Sequence, residues 1–178
     1  MQRPLILATG LLALTFAGPI TAEAPVLQSD APVIYLADNL GEADRLGWCI
    51  DTVGRGFADI LQAHSCKPSR GQVHDTQYSF DAASGQIRSA AFDGKCVSFN
   101  NPDDDERPFG LLDCQDSDPA QAFVYDAVSM EIRIGADPAV CMVVAPEFGS
   151  AGPFQSRILN AAECASVEEA RKQWIIKN

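Results

Sequence analysis

The chain has 178 residues with 24 acidic and 13 basic side chains, a formal net charge of −11. Such a surface repels phosphate polyanions, which argues against nucleic acid, heparin-like glycans and anionic membranes as partners, and keeps the protein soluble. The length past residue 24 suits one domain that buries about two-thirds of its unfolded surface.

Residues 1 to 24 read as an export signal. Arg3 gives a positive start, Leu5 through Gly18 is mostly apolar, and Ala22-Glu23-Ala24 offers a small-x-small cleavage site before Pro25. Gly10, Gly18 and Pro19 break the segment too often for a membrane span, so no membrane insertion is expected after cleavage. Loss of Arg3 and Glu23 leaves the net charge unchanged. Residues 25 to 178 then form a single domain of a secreted or periplasmic monomer.

Val33 to Leu36 reads as an opening strand, followed by an insertion of Gly, Glu and Asp residues before Trp48. Six cysteines follow, and in an exported chain of this size they favour disulfides over metal. No C-x-x-C spacing occurs, which removes the usual zinc and redox patterns. Six thiols permit 15 connectivities, so the pairing rests on a repeat: Cys49, Cys96 and Cys141 lie 47 (96 minus 49) and 45 (141 minus 96) positions apart. Each is followed by a second cysteine, which proposes Cys49–Cys66, Cys96–Cys114 and Cys141–Cys164. Copies of this length cannot bury a core alone and must close on one another.

Tyr78 through Cys96 aligns without a gap on Phe123 through Cys141, matching Asp81 to Asp126, Ser84 to Ser129, Ile87 to Ile132 and Arg88 to Arg133. Both segments read as strand, turn, strand, with aromatic residues alternating with small polar ones. Five places before the second cysteine stand Leu61, Phe109 and Leu159, and three before it Ala63, Leu111 and Ala161. Alternate residues share a strand face, so these six should point inward while His64, Leu112 and Ala162, two places before it, point outward. Ile50, Val97 and Met142 join the core. No helical apolar stripe is sustained, and Ser166 to Lys172 reads as one helical turn at most. The fold is all-β and closed. Three copies are too few for a propeller.

These residues resemble the ricin-type β-trefoil lectin family. Its Cys-Leu-Asp step is matched by Cys49-Ile50-Asp51 and its Ile-Arg-Ser strand by Ile87-Arg88-Ser89. The Gln-x-Trp slot is held by Thr76-Gln77-Tyr78, Gln121-Ala122-Phe123 and Lys172-Gln173-Trp174, each of which keeps an aromatic ring. The resemblance spans about residues 33 to 178 and implies a β-trefoil of three repeats, about 33–79, 80–124 and 125–178, meeting at Tyr78, Phe123 and Trp174.

The resemblance also implies a sugar pocket in each copy: an aspartate after the first cysteine, a stacking ring two places before the second, and an amide near the Gln-x-Trp slot. An anionic acceptor bonds sugar hydroxyls strongly, and a flat ring covers C–H groups. Carried over by position, the first copy offers Asp51, His64 and Asp75; the second offers Ser98, Leu112 and Ala120; the third Val143, Ala162 and Arg171. Only the first keeps the carboxylate. Phe57, in Gly54-Arg55-Gly56-Phe57, adds an exposed stacking candidate, while Trp48 reads as a structural ring.

The same residue types permit plainer roles: Asp51 as a turn cap, His64 as a strand histidine without function. Asp103 to Glu106 reads as a solvated loop tip, because consecutive carboxylates lack the spacing of a calcium loop. His64 and His74 lie ten positions apart without a further nitrogen ligand, and the cysteines are taken up in disulfides, so no metal or cofactor is expected. Adjacent His64 and Ser65 on one strand point apart, which works against a hydrolase triad with Asp51 and against an enzyme. The expected function is an exported lectin-like module binding a glycan through at most one pocket. The alternative is a trefoil with decayed pockets that contacts a protein partner, for instance as an inhibitor presenting the loop Asn100 to Phe109.

Overall fold

The computed structural model describes residues 23–178; the export-signal reading of residues 1–24 therefore lies almost wholly outside the described residues. Fourteen short strands form three sheets. In chain order they are β1 Val33–Leu36, β2 Trp48–Thr52, β3 Leu61–Ser65, β4 Tyr78–Asp81, β5 Gln86–Ser89, β6 Lys95–Phe99, β7 Phe109–Asp113, β8 Phe123–Asp126, β9 Glu131–Ile134, β10 Asp137–Val144, β11 Gly149–Ala151, β12 Phe154–Arg157, β13 Leu159–Glu163 and β14 Trp174–Lys177. Among the described residues, helical structure is confined to 3-10 turns such as Cys164–Ser166 and Glu169–Arg171. The architecture is a β-trefoil.

One sheet, β4-β5-β6-β7, is contiguous in sequence, and a second, β8-β9-β10-β13, is interrupted by β11 and β12. The remaining sheet draws on both chain ends: β14 pairs antiparallel with β1, from Val33 opposite Lys177 to Leu36 opposite Trp174. β2 and β3 complete that four-stranded set, and the hairpin β11–β12 adds two strands at its far edge. Each sheet begins at one of the aromatic residues Trp174, Tyr78 and Phe123, all buried in one core cluster. Ring contacts within that cluster run through Phe109, whose centroid lies 5.3 Å from Phe99 and 6.4 Å from Phe123.

The inward positions follow the alternation of the strands. Leu61, Ala63, Phe109, Leu111 and Leu159 are buried, and Ala161 packs half-buried against them. Disulfides join Cys49–Cys66, Cys96–Cys114 and Cys141–Cys164 across sequence separations of 17, 18 and 23. The longer third span holds β11 and β12. That hairpin leaves its own unit and docks on the first, placing Ser156 opposite His64 and Arg157 opposite Ala63.

This docking overturns one expectation. His64, read as an outward strand residue, is only 5% exposed. Its strand would be an edge, and the hairpin covers it by supplying a pairing partner. Arg157 anchors the hairpin, donating to the carbonyls of Ala145, Pro146 and Leu40 while its guanidinium lies 4.6 Å from the Trp48 ring centre. Trp48 is fully buried and donates from Nε1 to the Asn39 carbonyl at 2.7 Å, a structural role.

A repeated device joins consecutive units. Asp81 and Asp126 cap the β4–β5 and β8–β9 turns by accepting from the amides of Ala83 and Val128, each at 2.9 Å. The turn then passes through left-handed backbone at Gly85 (φ 73) and Met130 (φ 59). The Gly85 carbonyl accepts the Phe123 amide at 2.8 Å, and the Met130 carbonyl accepts the Trp174 amide at 2.7 Å. Each turn thus fixes the aromatic strand of the next unit. A Cβ on Gly85 would meet the Phe123 carbonyl oxygen at 2.6 Å, backbone that cannot yield cheaply. Gly85→Ala is expected to cost about 2–4 kcal/mol through combined clash and φ strain, read as a lower urea midpoint with unchanged slope; a loss under about 0.5 kcal/mol would contradict this role.

Candidate functional site

The outer face of the β2–β3 ladder carries the site. Asp51 stands opposite Gln62 and Cys49 opposite His64, so Asp51, Gln62 and His64 share one face while Ile50, Leu61 and Ala63 face the core. Lys67, just past the disulfide at Cys66, reaches back over this face. Its Nζ lies 2.9 Å from Asp51 Oδ2 and 2.5 Å from Asp75 Oδ1. His64 Nδ1 is 3.7 Å from the same Asp51 oxygen but bonds the Ser65 carbonyl at 2.8 Å, so that nitrogen carries the proton. The structure therefore gathers Asp51, His64 and Asp75 around one ammonium group.

Phe57 does not join them. It is half exposed and packs edge-on against Phe92 at 5.4 Å, with Lys95 Nζ 5.0 Å from its ring, at the seam with the second unit. The ring beside His64 is Phe154 of β12, 5.5 Å away in an edge-to-face contact. Between the β2–β3 loop and the β11–β12 hairpin lies a cleft of about 510 Å³, walled by Arg55, Gln62, His64, Lys67, Phe154 and Ser156 among others.

Asp51 itself is sealed from solvent. Its Oδ1 accepts the Thr52 amide at 2.8 Å, and its Oδ2, though close to Lys67, lacks hydrogen-bond geometry to any donor. Thr76 Oγ1 and the Tyr78 hydroxyl are likewise buried without a partner. Burial pushes the Asp51 pKa up to about 7 despite the opposing Lys67 charge, with Asp75 adding to the rise. Burial pulls Lys67 down, but Asp51 and Asp75 more than offset it and hold the ammonium above its ordinary range. His64 is lowered by burial, against the pull of the Ser65 carbonyl, and stays neutral at pH 7.

The other two units differ. Ser98 and Val143 replace the aspartate and are buried, while Leu112 and Ala162 stand at the ring position. At the Gln-x-Trp slot Gln121 donates to the Asp113 carbonyl and accepts the Gln115 amide, both at 2.9 Å. In the third unit Lys172 bonds the Cys164 carbonyl and pairs with Glu131 at 3.2 Å. Both side chains brace backbone. Glu131, Cys141 and Cys164 bring ligand atoms within 4.8 Å of one another, but the two sulfurs are bonded together and offer no thiolate. Ser65 Oγ donates to buried Glu42 at 2.7 Å and accepts the Gln155 amide at 3.1 Å, so it serves the hairpin dock.

Sequence reasoning missed Lys67 and Phe154. Lys67 follows directly after a cysteine already placed on the site's unit, so its position beside Asp51 had a local signal. Phe154 belongs to another unit and had none.

No family model and no curated protein matches the chain. Among solved structures it is similar to the C-half of an earthworm R-type lectin, crystallised in complex with GalNAc, at 17% sequence identity and a TM-score of 0.56. The match covers 82% of this chain and 98% of that one. The likeness is one of fold, and it is consistent with the β-trefoil described above.

Asp51 titrates near 3.8 when unfolded and about 7 when folded, so the fold retains its proton longer. Its contribution to stability therefore falls as pH rises between those values. Removing Lys67 raises the folded pKa further and extends that loss to higher pH. Lys67→Met is expected to cost about 3 kcal/mol at pH 8, where Asp51 must either carry an unpaired buried charge or take up a proton, and about 1 kcal/mol at pH 5, where it is already neutral in the folded protein. Thermal melts at the two pH values check this, and equal losses would show that Lys67 does not compensate Asp51.

Proposed function

We propose that the protein is a carbohydrate-binding module with a single sugar cleft in its first unit. The observation that carries this reading is the gathering of Asp51, His64 and Asp75 around Lys67 beside an open cleft, with no equivalent set in the second or third unit. The cleft volume suits one or two sugar rings. Phe154 supplies the stacking surface that a lectin pocket needs, from the docked hairpin. The R-type lectin fold, seen with GalNAc in the earthworm protein, supports the same reading. Three disulfides fit a secreted or periplasmic setting, where oxidising conditions let them persist.

A second reading is a protein-contact module without sugar binding. One feature favours it: Val53, Phe148 and Ile158 are exposed around a hollow of about 390 Å³ formed by the β2–β3 loop, the hairpin and Glu106–Arg107. Exposed apolar groups gathered in one place mark contact surfaces.

Phe154→Ala separates the two. On the carbohydrate reading it weakens glycan binding about tenfold or more while the protein stays folded, and Phe57→Ala, remote from the cleft, leaves binding unchanged. Titration calorimetry against glycans found on an array provides the measurement. Absence of any glycan bound at millimolar concentration would transfer the weight to the protein-contact reading.

A further inference from the structure

We propose that the first-unit cleft selects sugars bearing a carboxylate, with Lys67 and Arg55 engaging the acid group and Phe154 covering the sugar ring. This rests on the carbohydrate-binding reading and names its ligand class.

The charge on the cleft wall carries the proposal. The chain has 24 acidic and 13 basic residues, yet the charged side chains lining the cleft are Arg55 and Lys67, with neutral His64 beside them and no carboxylate. The acids that belong to the site, Asp51 and Asp75, lie behind Lys67. An aspartate that receives hydroxyls from a neutral sugar has to reach the ligand, and Asp51 has no exposed surface. What the floor offers instead is the Lys67 side chain, 18% exposed and held in place by two carboxylates. An ammonium pinned this way presents a donor with little rotamer entropy left to lose.

Arg55 stands at the cleft rim, exposed, and forms no ion pair among the described residues. It sits between Gly54 (φ 92) and Gly56 (φ 76), whose left-handed backbone shapes the loop that brings it to the cleft. Its planar fork matches a carboxylate in two parallel bonds, which a point charge cannot do. Asp51 Oδ2, buried and paired with the Lys67 ammonium at 2.9 Å, adds a second observation: the carboxylate on the inner side of Lys67 is costly to keep charged. An incoming anion on the outer side of Lys67 favours the protonated form of Asp51, whose pKa of about 7 makes that uptake inexpensive at neutral pH. The charged and titratable groups around Asp51 are Lys67, Asp75, His64 and Tyr78, and His64 is kept neutral by burial. A single acid group is accommodated; a polyanion still meets the repulsion of the surrounding surface.

Titration calorimetry of the mature protein with D-galacturonate, D-galactose, D-glucuronate, D-glucose and acetate tests the proposal. The expected result is that at least one uronate binds about fivefold or more tighter than its neutral hexose, and that Arg55→Gln reduces this preference about two- to fivefold with an unchanged melting temperature. Equal or tighter binding of the neutral hexose overturns the acid selectivity while leaving the carbohydrate reading intact. Acetate binding as tightly as the uronates overturns it by showing a bare carboxylate site. A preference that survives intact in Arg55→Gln removes Arg55 from the site. No binding by any sugar overturns both this proposal and the reading beneath it.

Discussion

The pairing of β14 with β1 is the constraint on which the molecule depends. Two of the three sheets draw on one region of the chain each, the second of them interrupted by the β11–β12 hairpin, but the third is completed only when Trp174–Lys177 returns to lie beside Val33–Leu36. That closure buries Trp174 completely, and its Nε1 donates to the Met142 carbonyl at 2.9 Å, so the last strand is tied to the third unit as well as the first. Left open, β1 would present an unpaired edge and the core would lose the Trp174 ring. The sheet completed by this return is the one that carries the candidate site, so site geometry is downstream of a contact between distant parts of the chain.

Closure alone gives an approximately three-fold object, and the asymmetry comes from one insertion. The 23-residue third disulfide span contains a hairpin that no other unit has, and the hairpin spends its hydrogen bonds on the neighbouring unit's edge strand. Arg157 holds it there through carbonyls from two segments and through the Trp48 face. In consequence the first unit's outer face gains a wall, a ring at Phe154 and a cleft, while the second unit's equivalent face has neither.

Much of the fold was legible because its signals are local. Tyr78, Phe123 and Trp174 mark strand starts, Leu61, Phe109 and Leu159 mark inward positions, and Val33 to Leu36 opens the first sheet, each readable from alternation within a few residues. The site was legible only in part. Asp51, His64 and Asp75 were placed together by the resemblance to ricin-type lectins, and their side chains lie close to one another around Lys67. His64 was misjudged as exposed because its cover comes from residues 149–157, far away in sequence and without periodic signature. Phe57 was a reasonable stacking candidate by composition, yet its loop leans toward Phe92 of the next unit. Arg55 and Lys67 of the cleft lining lie close in sequence, but the opposite wall, Ser150 to Ser156, comes from another unit, so the cleft itself had no local signal.

The buried Asp51–Lys67 contact is a poor explanation of stability. Taking both charges out of water costs several kcal/mol each before the attraction is counted, and an apolar pair of similar volume commonly does as well or better. The cost is visible in Asp51, whose pKa stands about 7 even with the ammonium 2.9 Å away. The structural disulfide at Cys49–Cys66 already fixes this end of the ladder, so the pair is not needed to hold β2 to β3. What the pair does achieve is positional: with Asp75 it pins the Lys67 ammonium at the floor of the cleft walled by Phe154, and neither acid lines that cleft. An arrangement that costs stability and fixes a single donor in an open cleft is what a binding site requires of its supporting residues.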